Sequence, residues 1–297
     1  MKCTAVSPEC PVEATTYGYA PNLAANTLYL VIFGTCACAQ IILGAKFGAI
    51  TYTALTTIGC IGEALGYIGR ILMHSNAWSS SGFILQILLL ILSPSFLAAA
   101  LYFNLKRVIN YLGPEYSRIN SRFLAPIFIT CDAIGFVTQA IGGGTEASSS
   151  SGDTSQRLTD IGNDIMIAGI TFQAVTMAAA AVFCLDYWFS YRKAYLERHN
   201  RGILQLESKS NMFTYFIYSN VVAFIVILIR CIYRIPEMAG GWGNPTMRNE
   251  AEFMIFDGVM VIIAAILMTA AHAGVFFPAS RNVRCALRRS DEIELRA

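Results

Sequence analysis

FILQILLLILSPSFLAAALYFNL, Phe83 to Leu105, runs for 23 residues without one Asp, Glu, Lys or Arg. A helix rises about 1.5 Å per residue and the hydrocarbon core of a bilayer is about 30 Å thick, so about 20 mostly apolar residues reach across it. No water is present at that depth to satisfy an open backbone, which leaves a helix as the conformation for such a stretch. Six further stretches have comparable length and apolar character, at about Asn22–Gly44, Tyr52–Met73, Phe123–Ile141, Ile161–Leu185, Met212–Tyr233 and Phe253–Phe277. The whole chain is 55% apolar and 13% charged, against roughly a quarter charged in soluble domains. The expected fold is all-α, a polytopic seven-transmembrane-helix bundle: residues 22–278 form one membrane domain, 1–21 an external N-terminal tail and 279–297 a basic cytoplasmic tail.

Basic residues in alternate connections set the orientation. One side gathers fifteen: Lys46, then Lys106, Arg107, Arg118 and Arg122, then five in 192–209 and five in 281–296. The other side gathers four, Lys2, Arg157, Arg234 and Arg248. The N-terminus is therefore predicted outside and the C-terminus cytoplasmic, which an odd number of spans permits. No charged segment followed by an apolar one precedes Tyr17, so the first span is expected to direct its own insertion. No Asn-x-Ser/Thr sequon occurs. Cys3 and Cys10 fall in the external tail, on an oxidising side, and are candidates for a short disulfide loop. Cys285, just inside the last span among arginines, is a candidate for lipidation.

Between the spans, Gly142–Gly152 reads as a flexible external loop because it is rich in Gly and Ser. Arg192–Lys209 reads as the longest cytoplasmic connection, with room for a short helix on the inner leaflet. Pro94, inside the third span, is expected to kink it and free a carbonyl. Pro236–Glu252, dense in turn formers around Trp242, reads as a shaped external loop.

An ionisable side chain at mid-membrane costs on the order of 2.5–3.5 kcal/mol even on lenient scales, so each must face protein or water. In the second span Gly59, Gly62, Gly66 and Gly69 form a smooth strip for close helix approach, with Glu63 and Arg70 alongside. These two charges stand about 10 Å apart along the axis and are expected to pair with other helices. Asp132, Gly135, Gln139 and Gly142 share a stripe of the fourth span, and Gln173 lies mid-depth in the fifth. Arg230, Arg234 and Glu237 stack in the sixth; Glu250, Glu252 and Asp257 open the seventh. The predicted orientation places most of these charges in the outer half of the bilayer and implies a polar pocket opening outward. Interhelical registry alone is the competing account.

Three histidines, one in a span, are too few for bis-histidine haem ligation or an intramembrane zinc hydrolase. The span cores hold no lysine for a retinal Schiff base, and no P-loop motif occurs. No metal, cofactor, nucleic-acid partner or enzymatic activity is expected.

Glu63-x-x-Gly66-Tyr67-x-x-Arg70; Ala125-Pro126 followed by Asp132, Gln139 and Gly142-Gly143-Gly144; Gly169-x-x-Phe172-Gln173; and Arg230-x-x-Tyr233-Arg234-x-x-Glu237, leading through Gly-Gly-Trp-Gly to Glu252 and Asp257, form an ordered set. Together with Tyr17-Gly18-Tyr19-x-Pro21 the set resembles the fungal RTA-like family of lipid-translocating exporters, over about Tyr17 to Pro278. The resemblance implies a seven-span fungal protein, most often of the plasma membrane. It implies release or flipping of sphingoid bases, resistance to toxic amphiphiles such as aminosterols, or porphyrin uptake. It carries substrate-binding roles to Glu63, Tyr67, Arg70, Asp132, Gln139, Gln173, Arg230, Arg234, Glu237, Glu252 and Asp257. The sequence departs from the family where Ala273, not proline, follows His272. Expected ligands are membrane lipids and amphiphiles such as a sphingoid base, sterol or porphyrin; a seven-transmembrane receptor or lipid sensor is the alternative.

Overall fold

In a computed structural model the described residues are 6–8, 10–15, 17–148, 153–200, 211–239 and 244–276. They are almost entirely helical: α1 (Leu23–Phe47), α2 (Ile50–Ser75), α3 (Ser80–Leu112), α4 (Ser121–Ser148), α5 (Asp153–Asn200), α6 (Asn211–Ala239), α7 (Glu250–Phe253), α8 (Met260–Ala270) and α9 (Ala273–Phe276). A π-helical segment, Met254–Val259, joins α7 to α8 into a continuous helical run from Glu250 to Ala270, and α9 follows after a break at Ala271 and His272. The helix starts follow from their caps. Asn22 accepts from the Ala25 amide at the start of α1, and Ser79 accepts from the Gly82 amide at the start of α3. Gly48, at φ 77°, ends α1 in the left-handed region and turns the chain into α2.

Six of the helical stretches are long and apolar enough to cross a membrane, and the chain is an all-helical integral membrane protein. The expected seventh, α2, has the length at 26 residues but is not among the six. Its glycines and threonines, with Glu63 and Arg70, dilute its apolar content. It nevertheless lies between α1 and α3, packed on both. Its outward face presents Ile50, Ile58, Ile61, Leu65 and Leu72, all exposed, as a helix in lipid would.

The glycine strip of α2 faces α3. A Cβ on Gly69 would stand 2.8 Å from the Gln86 nitrogen and the Gly82 oxygen, so the two backbones touch where the strip ends. The fourth span's small-residue stripe faces α5 in the same manner: a Cβ on Gly142 would lie 2.6 Å from the Gly162 oxygen. Large apolar side chains such as Ile42, Val182, Phe189 and Tyr218 lie on the outer surface, the inverse of a soluble protein and the arrangement expected when lipid is the solvent.

Three boundaries differ from the sequence reading. Gly142–Ser148, expected as loop, continues α4, because helix-on-helix contact with α5 at Gly142 overrides the poor helix propensity of glycine. α5 runs 48 residues to Asn200, without a break where the cytoplasmic connection was expected to begin at Arg192. α6 extends past Pro236 to Ala239, which places Glu237 on the helix and not in the loop. Residues 149–152, 201–210 and 240–243, together with Cys3, Cys285 and the basic tail, lie outside the described residues. Cys10 is disulfide-bonded.

Candidate functional site

Pro94 is where the site begins. Having no N–H, it leaves the carbonyl four residues earlier without its helical donor, and that carbonyl belongs to Leu90. The Arg230 guanidinium of α6 donates to it. The kink expected from sequence therefore has a specific use: it presents a main-chain acceptor to a buried cation.

Around Arg230 the acids and arginines of three helices converge. Arg230 Nε lies 2.8 Å from Asp257 Oδ1, and Arg234 Nη2 lies 2.8 Å from Asp257 Oδ2, both as ion pairs rather than aligned hydrogen bonds. Arg234 Nε adds an aligned bond to Asp257 Oδ1 at 3.0 Å, and its Nη1 donates to Glu237 Oε2 at 2.9 Å. Asp257 sits in the π-helical segment, a widened turn of the kind that recurs at functional sites. Gly258 beside it leaves room for two phenols: the Tyr29 hydroxyl donates to the Met254 carbonyl, and a Cβ on Gly258 would come within 2.8 Å of the Tyr67 hydroxyl. Glu63 has Asp257, Arg230 and Arg234 as its charged neighbours. Its Oε1 and the Tyr67 hydroxyl have no hydrogen-bond partner among the described residues. Glu63, Arg70, Arg230, Arg234, Glu237 and Asp257 are between 0 and 4% exposed.

Arg70 closes the top of this cluster, and its partners come from other elements as expected. Nε donates to Asn26 of α1 at 2.9 Å, and Nη2 donates to Glu250 at 3.2 Å and to the Tyr19 hydroxyl at 3.4 Å. The Phe253 ring lies between two cations, 4.2 Å from Arg70 Cζ and 5.3 Å from Arg234 Cζ, within cation–π range of both.

The expected polar pocket opening outward takes a different form. The cluster is roofed by the N-terminal segment, which folds back onto the bundle. The Tyr17 hydroxyl accepts from Gln86 Nε2 at 2.5 Å, the Pro21 carbonyl accepts from His74 at 2.7 Å, and the Asn22 amide donates to Glu250 at 2.7 Å. Burial holds the Tyr17 and Tyr19 phenols above their ordinary pKa range, so both stay neutral. What opens at this end is an adjoining cavity of about 260 Å³, lined mainly by apolar side chains of α2, α3 and α5. The roof forms because three aromatic and proline residues in five positions, Tyr17, Tyr19 and Pro21, bury readily against Phe83 and Arg70.

The structure thus brings together Glu63, Tyr67, Arg70, Arg230, Arg234, Glu237 and Asp257. Four of the expected residues stand apart. Gln139 donates to Gln173 at 2.9 Å, and Gln173 donates to Ser95 at 2.7 Å, a chain that ties α4 and α5 to α3. Asp132 is buried with neither carboxylate oxygen hydrogen-bonded, next to the Tyr102 hydroxyl. Glu252 accepts from the Asn249 side chain at 2.8 Å in the cap of α7, while Glu250 turns inward. The resemblance gave a binding role to Glu252 and none to Glu250, whereas it is Glu250 that reaches Arg70.

Sequence reasoning also missed a neutral polar layer at the opposite end of the bundle. There Gln40 donates to Thr269 at 3.1 Å, Tyr52 to the Met268 carbonyl at 2.6 Å, and Asn104 to Asn220 at 2.7 Å. His272 accepts from the Gly274 amide at Nδ1, leaving Nε2–H to donate to Thr53 at 3.1 Å. These residues carry no charge within a span, which is why a search for intramembrane charges passed over them. Among the described residues no group of His, Cys, Asp and Glu is arranged to hold a metal ion.

Comparison with known proteins places these features in a lineage. The family model described as RTA1 like protein matches residues 56–280. The sphingoid long-chain base transporter RSB1 of Saccharomyces cerevisiae (strain Lalvin EC1118) is 31% identical over 288 residues, 88% of this chain and 74% of that one. Protein RTM1 of S. cerevisiae is 29% identical over 74% of this chain and 65% of its own. Protoporphyrin uptake protein 1 of S. cerevisiae is 27% identical over 74% of this chain and 67% of its own. No solved structure matches.

Proposed function

The chain belongs to the RTA1-like family, and on that premise we propose that it moves a cationic amphiphile of the sphingoid-base type across a membrane, without catalysing a covalent reaction. The observation that carries this reading is Glu63: a carboxylate deep in the bundle, beside the Arg230–Asp257–Arg234 group, with an oxygen that has no donor among the described residues. A buried acceptor without a donor costs on the order of 1–3 kcal/mol, and an ammonium or hydroxyl from a ligand would recover that cost. The names of two relatives, one a sphingoid long-chain base transporter and the other a protoporphyrin uptake protein, support amphiphiles as the substrate class. On this reading Glu63 and Tyr67 meet the polar head, while Arg230, Arg234, Asp257 and Glu237 hold the helices around it.

Three further elements belong to the proposal. α2 is the seventh span, with its apolar face to lipid and its glycine face to α3. The N-terminus lies outside and the basic tail in the cytoplasm, which puts the roofed cluster in the outer half of the bilayer. The compartment is the fungal plasma membrane, where release of a toxic amphiphile confers resistance.

Purified protein in liposomes should move a fluorescent sphingoid base between leaflets faster than protein-free liposomes. Glu63→Gln keeps the shape of the side chain but removes its charge, and should slow that movement about tenfold while the protein still purifies intact. Flux no greater than in empty liposomes would sink the transport reading; recruitment of a cytoplasmic protein on adding the same base would then favour a receptor.

A further inference from the structure

Tyr17 has two faces. One lines the cavity of about 260 Å³ at the N-terminal end of the bundle, where Met73, Phe83, Ile87, Leu88 and Met166 supply an apolar wall. The other reaches the polar cluster: its ring lies 5.9 Å from Arg70 Cζ, and its hydroxyl is held by Gln86. Behind that partition two buried atoms have no hydrogen-bond partner among the described residues, the acceptor Gln86 Oε1 and the donor Arg70 Nη1; Glu63 Oε1, likewise without one, lies about 10 Å farther along α2 from Arg70. An apolar chamber and an unmet acceptor and donor are therefore separated by a single side chain of the N-terminal segment.

We propose that the chamber takes the aliphatic tail of a single-chain amphiphile, and that Tyr17 swings aside to join it to the polar groups at Gln86 and Arg70 that lead to Glu63. The inference rests on the transport reading above and adds the place where chain length is measured. The head that fits there must both donate and accept, as an ammonium flanked by hydroxyls does: it donates to Gln86 Oε1 and accepts from Arg70 Nη1 before it reaches Glu63. The length of the tail is bounded by Met73 on α2, by Ala77 just after α2 and by Gly143 on α4. The partition can move because the segment holding it is not a helix. Gly18, at φ 70°, follows Tyr17 directly, and packing and the single Gln86 contact hold the ring.

The test uses the full-length protein in liposomes loaded with an equimolar mixture of saturated sphingoid bases of 14, 16, 18 and 20 carbons. The reading is the ratio of long to short bases moved, which does not depend on how much of a variant folds. Ala77→Leu fills the chamber and should shift the ratio toward short chains at least threefold. Met73→Ala enlarges it and should shift the ratio the other way by a similar factor. Wild-type transport with the same ratio in both variants would overturn the inference and leave the transport reading standing. If the wild type moves no base, thermal stabilisation of the purified protein by each base in detergent takes the place of flux. Chain-length dependence that the two variants displace in opposite senses would support the chamber without transport; none at all would overturn it.

Discussion

Asp257 is the acid on which Arg230 and Arg234 converge, and the balance of the whole cluster turns on it. Removing one partner of a buried pair leaves a desolvated charge and typically costs about 3–5 kcal/mol, more than the pair contributes when intact. Asp257→Asn should therefore lower the thermal midpoint of the detergent-purified protein by many degrees. Glu252→Gln, on the exposed cap of α7, should fall within about 0.5 kcal/mol of wild type. Equal midpoints for the two variants would remove Asp257 from the structural centre. That these charges would be buried against protein partners was legible from sequence, since charges in apolar stretches are costly and must be satisfied. Which of them meet was not. Glu250 and Glu252 are separated by one position and differ in whether the side chain turns toward Arg70 or caps the helix. Helical periodicity sets the two on different faces and puts Glu250, seven residues before Asp257, on that residue's side; what the sequence does not contain is the partners that await it, Arg70 and the Asn22 amide, both far away along the chain.

Packing of α2 on α3 shows what a spacing pattern can convey about an element. The i, i+3, i+7, i+10 glycines announced that some helix would come close; the structure adds that it is α3, and that contact at Gly69 is backbone to backbone. Gly69→Ala must then push α3 away, and overpacking of this kind costs about 1–3 kcal/mol. Gly34 on α1 has nothing within 4 Å of where its Cβ would stand, so Gly34→Ala, which also gains helix propensity, should leave the melting temperature unchanged or slightly higher. A melting series of the two variants decides whether the strip is a contact surface or only a run of small residues. Pro94 was legible in the same partial way: a freed carbonyl follows from the missing N–H, but its recipient, Arg230, sits on a helix 140 residues later. The loop expected at Gly142–Ser148 failed for the converse reason, since composition favours a loop there and only the neighbouring α5 makes a helix worth keeping.

For the molecule as a whole, topology follows from the number of crossings. Tags on the two termini should be cleaved by external protease from opposite sides of intact cells, the N-terminal tag accessible and the C-terminal one protected. Both tags on one side would mean that α2 does not cross and that six spans are the full count. The bilayer-spanning character of the chain was readable from hydropathy alone, whereas the roof over the cluster was not, because a tail of 21 residues ahead of the first span looks detached until its tyrosines find Phe83 and Arg70. Those contacts also have an order in time. The ribosome delivers Arg70 180 residues before Glu250, when Asn26 on the already finished α1 is the nearest partner it can have. The one long helix not counted among the six apolar spans thus emerges carrying a guanidinium whose acid has not yet been synthesised. A chain interrupted before α7 would leave that guanidinium with Asn26 and Tyr19 but without its counter-charge, so the last span completes an electrostatic pairing that the second helix opens.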